Sequence, residues 1–260
     1  MKSIFNPQRF LQLVKWSLVT DSAYNKKQVV MLLAIICFFG QSDNLFHTNG
    51  VGDMTTGMFT AILLTMIGTG GSYMFASFRD RIDGIRDLNM LPASNLEKFL
   101  ARYLVSFLFH VMVVIVSMVV SDVLQYAVGL LIGRQNIGFV LPDVLGKTAS
   151  ALTKPSVLIL FLWSHSFFMV GANFFRNVKY NWALTALAML IIVIAAIIIF
   201  PHSYLKAYVN TGQEYVALRQ ELNTFIAVGM IALIVLSLLN VWLAYRLFCR
   251  RQLIGKFINL

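Results

Sequence analysis

Charge is what this sequence has least of. Asp, Glu, Lys and Arg make up only 12% of the residues against 58% apolar, and the mean hydropathy is +0.75. Soluble domains carry about a quarter charged residues, so a soluble globule is excluded. The chain reads as an all-α integral membrane protein, and 260 residues leave no room for a large soluble domain beside the spans. Acids are scarcer than bases, 11 against 21, for a net charge of +10. That excess invites a nucleic-acid reading, but the basic residues sit at the ends of apolar runs, where membrane topology puts them. We therefore expect no nucleic-acid partner. Cysteine is nearly missing. Cys37 lies within an apolar run and Cys249 beyond the last one, so no disulfide is expected, and no Cys/His spacing suits a metal.

Catalytic sets are absent as well. There is no Gly-x-Ser-x-Gly and no His-Glu-x-x-His. Gly146-Lys147-Thr148 has the ending of a phosphate-binding loop, but position 141 is Leu where that motif needs Gly. No catalytic residue and no cofactor is expected. The first apolar run begins only at Val29, too late for a signal peptide, and Gly40-Gln41-Ser42 is a chance match to a cleavage site.

What is present is a series of apolar runs. Residues 1–28 form a cytoplasmic interfacial helix. Asn6-Pro7 suits a helix start, Phe10, Leu11, Val14 and Leu18 share a face, and Trp16 suits a headgroup layer. Residues 29–248 hold six spans, and 249–260 are a basic cytoplasmic tail. Span one begins near Val29. Its solid apolar part ends at Gly40, roughly 18 Å of helix against a core of about 30 Å, so it must extend to Phe46 or snorkel Lys26 and Lys27. Span two covers 54–78, with Gly68, Gly70, Gly71 and Ser72 permitting close helix approach. Span three covers 99–133, longer than one bilayer, and must bend near Ser121-Asp122 or project. Residues 134–154 read as a polar loop. Spans four, five and six cover 155–175, 182–200 and 225–248. Pro201 is expected to end the fifth, and 201–223 to be a loop holding short amphipathic helices. Gly129 and Gly133 form a small-xxx-small pair that permits a helix contact.

The most charged stretch is 79–102. It holds five of the 21 basic residues and four of the 11 acids. Ile82, Ile85 and Leu88 recur every three residues, with Arg81, Asp83, Arg86 and Asp87 between them, as in a short amphipathic helix. Pro92 stops it. Ser94 and Glu97 have the spacing of a capping box, so a new helix starts at about Asn95. Along that helix Arg102, Ser106, His110, Ser117, Ser121 and Gln125 fall within roughly 140° at about 100° per residue. Such a stripe cannot face lipid cheaply and must face the bundle, a partner or an aqueous path. His110, His165 and Asp122 could form a proton relay, which would mean a secondary transporter. The plainer alternative makes each histidine a hydrogen-bonded packing residue. A third reading is a membrane scaffold without transport.

Placing the N-terminus inside gives five basic residues in 1–28, five in 79–102, two in 176–179 and four in 246–260. That is sixteen inside against five in the outer segments, a bias that favours six spans with both ends in the cytoplasm. With an amphipathic helix before span one, a charged helix between spans two and three, a larger loop before span six and Met90-Leu-Pro-Ala-Ser-Asn-Leu-Glu-Lys98 opening span three, the layout resembles an ATP-binding-cassette exporter permease of the second type. The resemblance implies that residues 79–90 are a coupling helix gripped by a separate ATPase subunit through Arg79, Arg81, Ile82, Ile85, Arg86 and Leu88. It implies that Phe10 to Leu18 touch that subunit too. Two permease chains, alike or different, would pair in a bacterial inner membrane, with the substrate path between them lined by parts of spans two and five. ATP would be hydrolysed elsewhere, so this chain would not be an enzyme.

Overall fold

The computed structural model describes residues 5–46, 53–78, 87–88, 90–134, 138–175, 181–210 and 215–250. Every regular element among them is helical, as lipid demands of a chain that must satisfy its backbone within each segment. Among the described residues, four helical stretches are long and apolar enough to cross a membrane: Met54–Met74, Asn95–Leu131, Pro155–Phe174 and Ala227–Arg250. A bent pair, Pro7–Thr20 with Asn25–Gly40, makes a fifth if it counts as one span. The chain is a multi-pass membrane protein.

Helix α1 (Pro7–Thr20) starts as its sequence dictates, with the Asn6 side chain accepting from the N–H groups of Gln8 and Arg9. It does not lie loose. Leu13 and Ser17 are buried, while Leu11 and Leu18 point outward. Helix α2 (Ser22–Gly40) meets α1 at 66°. It begins seven residues before Val29 and takes Lys26 and Lys27 into its first turns. Its 19 residues give about 28 Å of helix at 1.5 Å each, but only together with α1 does it count as apolar enough to cross a membrane. The five-residue α3 (Ser42–Phe46) follows. Helix α4 (Asp53–Thr69) passes into a tighter 3₁₀ segment, Gly70–Phe78.

Helix α5 (Asn95–Leu131) is the axis of the bundle. The Ser94 hydroxyl accepts from Glu97 N–H at 3.2 Å, and Glu97 accepts from Ser94 N–H at 2.8 Å, so the capping box is complete. The helix runs unbroken through Ser121-Asp122, and 37 residues make about 55 Å, well beyond a bilayer core. Gly133 ends it with φ of +69°. Its N–H bonds the carbonyl of Leu130, and that of Arg134 bonds Gly129. This is a left-handed cap, where glycine avoids the Cβ clash. Gly133 is a helix stop and lies beyond the helical turn that holds Gly129.

Two further expectations fail. Residues 134–154 are not simply a loop, because they contain α6 (Leu141–Leu152) with Val144 and Thr148 buried. Its start is capped from another helix: Asp122 accepts from Val140 N–H and Leu141 N–H, each at 2.9 Å. Pro201 does not end the fifth apolar segment either. After α7 (Pro155–Phe174), helix α8 runs from Asn181 to Asn210 straight through it. The missing N–H costs a single bond, and the helix continues past it. Helix α9 (Tyr215–Arg250) closes the order, so most of the expected 201–223 loop is helical.

Two apolar clusters pin the bundle at its ends. Leu32, Ile36, Phe59, Leu63, Val114 and Met118 pack with Val140 and Val144 of the α6 region. At the α1 end Met74, Leu88, Phe99, Met169, Ala244 and Phe248 form the other cluster, with Trp16 and Cys249 against it. Glycines set the close approaches. A Cβ on Gly71 would meet the backbone carbonyl of His165 and the side chain of Met169. Gly71→Val should therefore lower stability by about 1–3 kcal/mol, as overpacking does. Gly57→Ala, with nothing within 4 Å of its added Cβ, should not. Equilibrium unfolding of the purified chain in mixed detergent micelles measures both.

Candidate functional site

The polar stripe of α5 turns into the bundle. Arg102, Ser106, His110, Ser117, Ser121, Asp122 and Gln125 are all buried. Along its length the stripe meets α1, the α1–α2 junction, α2, α3 and the start of α6, and each contact is polar.

The densest part lies where α1 bends into α2. Arg102 is 1% exposed. Its Nη1 donates to Ser17 Oγ and to Asp21 Oδ2, both at 2.5 Å, and Nη2 donates to the Met74 carbonyl at 3.4 Å. Asp21 sits at the N-cap position of α2, yet its side chain makes no cap bond there. It is committed to Arg102 instead. Five residues earlier along α5, the fully buried Glu97 accepts from Asn6 N–H at 2.6 Å and from Arg9 Nη2 at 3.0 Å. Helix α1 is thus fastened to the foot of α5 at both of its ends.

One turn beyond Ser106 comes His110. Its Nδ1 lies 2.6 Å from the Ser106 carbonyl. A carbonyl only accepts, so Nδ1 carries the proton and Nε2 presents a lone pair. Nε2 is buried and has no hydrogen-bond partner among the described residues. The ring stacks on Tyr73, centroids 3.9 Å apart and planes within 3°. A cavity of about 10 Å³ opens here, lined by Asp21, Asn25, Tyr73, Val105, Ser106, Phe109 and His110. That is room for one water. The arrangement joins a buried ion pair, an imidazole lone pair and a phenol ring within one polar seam.

His165 is differently placed. Its Nδ1 donates to the Ile67 carbonyl at 2.7 Å, and its Nε2 accepts from Tyr103 OH at 2.6 Å. Both nitrogens are engaged, so this histidine ties α7 to α4 and α5. At the far end Ser121 Oγ donates to the Ile36 carbonyl at 3.0 Å, and the bare Gly40 lets the two helices approach. Asn44 Nδ2 donates to the Gln125 carbonyl, also at 3.0 Å. A separate, mostly apolar groove of about 520 Å³ lies between α4, α7 and α8, lined by residues that include Thr65, Phe161, Ser164 and Met189.

The charged connection is less complete. Arg79, Arg81, Ile82, Ile85 and Arg86 lie outside the described residues. Leu88 is 2% exposed and belongs to the apolar cluster at the α1 end. Its side chain anchors the connection to the protein's own core. The sequence reading passed over Asp21, Asn25 and Tyr73. For Asp21 a signal existed: it is the only acid in residues 1–42, and Arg102 needed one. Searches against protein-family models, curated proteins and solved structures return no match.

Removing one partner of a buried pair strands the other charge, which costs about 3–5 kcal/mol, whereas replacing both with apolar groups is often neutral. Asp21→Leu alone and Arg102→Met alone should each destabilise the purified chain by that amount. The double variant should recover most of the loss, and unfolding in mixed micelles across the full mutant cycle reads the difference.

Proposed function

We propose that the chain is the permease subunit of an ATP-driven exporter of the ATP-binding-cassette type. It would work as a pair of permeases in a bacterial inner membrane, with both termini in the cytoplasm and six spans. The observation that supports this most is the double fastening of α1 to α5 through Glu97 and Arg102. A motor that hydrolyses ATP outside the membrane needs a rigid input. Here the N-terminal helix, the end of the charged connection and the foot of the longest helix converge at one end of the bundle, with Leu88, Phe99 and Trp16 meeting in one cluster. Force applied to residues 79–90, or to the outward face of α1, would reach α5 with little slack. In that role Arg79, Arg81, Ile82, Ile85 and Arg86 would form the gripped surface, and Leu88 would root it. The ATPase subunit, the second permease and the lipid bilayer are the partners.

A proton-coupled carrier is the second reading, and His110 is what favours it, since it lines the same small cavity as Asp21 and its Nε2 has no hydrogen-bond partner among the described residues. His165 does not help that reading, because both of its nitrogens are already hydrogen-bonded.

The two readings diverge in a vesicle assay. For the exporter, Arg81→Glu, Arg86→Glu or Ile85→Asp should abolish ATP-driven transport and capture of the ATPase subunit. Membrane insertion should stay intact, and transport should survive collapse of the proton gradient. Transport that continues in those variants, or that stops with the gradient and ignores ATP, overturns the exporter assignment.

A further inference from the structure

The last helix carries a charged face turned away from the bundle. In α9 Ala244 and Phe248 are buried, while Trp242, Arg246 and Arg250 recur every four residues on the opposite side and are exposed. The Arg246 guanidinium carbon lies 5.0 Å from the centre of the Trp242 ring. A shallow cavity of about 180 Å³ is lined by Trp242, Leu243, Arg246, Leu247 and Arg250. No carboxylate among the described residues pairs with either arginine.

Those facts constrain the occupant. The preceding turns of α9 expose Val235, Leu236, Leu238 and Leu239, a surface suited to acyl chains. Tryptophan on such a surface marks the headgroup level. Two arginines one turn apart, just beyond it, therefore stand at the depth of lipid phosphates. A guanidinium on a lipid-facing surface needs an anion, and its fork geometry suits phosphate oxygens. The lining is split between three apolar or aromatic side chains and two cations. A soluble phosphate would use only the cations, whereas a lipid uses both halves.

We propose that Arg246, Arg250 and Trp242 form a binding site for an anionic phospholipid of the leaflet at that end of α9. The phosphate bridges the two guanidiniums, and an acyl chain runs along Leu243 and the apolar turns before it. The indole holds Arg246 by its cation–π contact and keeps the fork turned to the headgroup. Such a site belongs to α9 alone and would serve a transporter or a scaffold equally.

The test uses the full-length chain in phosphatidylcholine nanodiscs doped with brominated phosphatidylglycerol or brominated phosphatidylcholine. Quenching of Trp242 is isolated as the difference from Trp242→Phe. The anionic lipid should associate more strongly, by roughly fivefold for each arginine that reads phosphate. Arg246→Gln with Arg250→Gln should erase that preference, and the double lysine variant should keep part of it. Lys147→Gln with Lys154→Gln, distant and exposed, should change nothing. Equal quenching by both lipids, or a preference that survives the double glutamine variant, overturns the proposal. Shielding of Trp242 from both lipids would mean a protein partner or a second copy covers this face. Loss of the preference to inorganic phosphate at constant ionic strength would assign the site to a soluble anion. Either result also overturns it.

Discussion

A guanidinium inside an apolar bundle sets the terms for everything around it. Arg102 cannot be deprotonated, and an unpaired charge at that burial is prohibitive. It must have a carboxylate, and Asp21 is the acid the fold supplies. That requirement explains why an N-terminal helix with exposed Leu11 and Leu18 is not a floating interfacial element. It is held where the bend after Thr20 delivers Asp21 to Arg102 and where Ser17 and the Met74 carbonyl complete the donor's shell. The same constraint explains why Asp21 forgoes its N-cap bond. A cap is worth about 1 kcal/mol, much less than leaving a buried cation alone.

The remaining stripe repeats the logic without a second ion pair. Ser121 bonds the backbone of α2, Asp122 caps α6, and the Gln125 backbone takes the side-chain amide of Asn44. Each bond crosses from α5 to a different element. A membrane bundle gains little from burying apolar surface, since lipid is equally apolar, so packing and polar contacts decide which helices associate. One helix with polar groups spread over about six turns can therefore organise α1, α2, α3 and α6 around itself, while α8 and α9 present mostly apolar faces outward.

Local signals were legible in the sequence, and long-range ones were not. Asn6-Pro7 and the Ser94/Glu97 box act over three residues, so their spacing fixed both helix starts. The burial of the stripe from Arg102 to Gln125 followed from periodicity and the cost of polar groups in lipid. By contrast, Glu97 also reaches back 91 positions to Asn6, and no spacing rule sees that. Asp122 caps a helix that begins 19 residues later. Without that cap in view, Leu141–Leu152 looked like loop, because its own N-cap position is Val140, which offers no side-chain acceptor. Pro201 misled for a different reason: a proline removes one backbone bond, and the helix carries on past it to Asn210.

The two intramembrane histidines show why residue type alone says little about function. Both donate from Nδ1 to a carbonyl, which fixes the same tautomer in each. They part at Nε2. That of His165 accepts from Tyr103 and so closes a link between α5 and α7, and a proton placed there would only reverse the bond, since the phenol oxygen can also accept. That of His110 has no partner among the described residues, and the residue lines the small cavity that Asp21 also lines. A change of charge at His110 would act directly on the Asp21–Arg102 pair that holds α1. The seam between His110 and Asp21 is where a small change could loosen the N-terminal helix from the axis. The bond between Tyr103 and His165 is placed to keep the rest of the bundle in register.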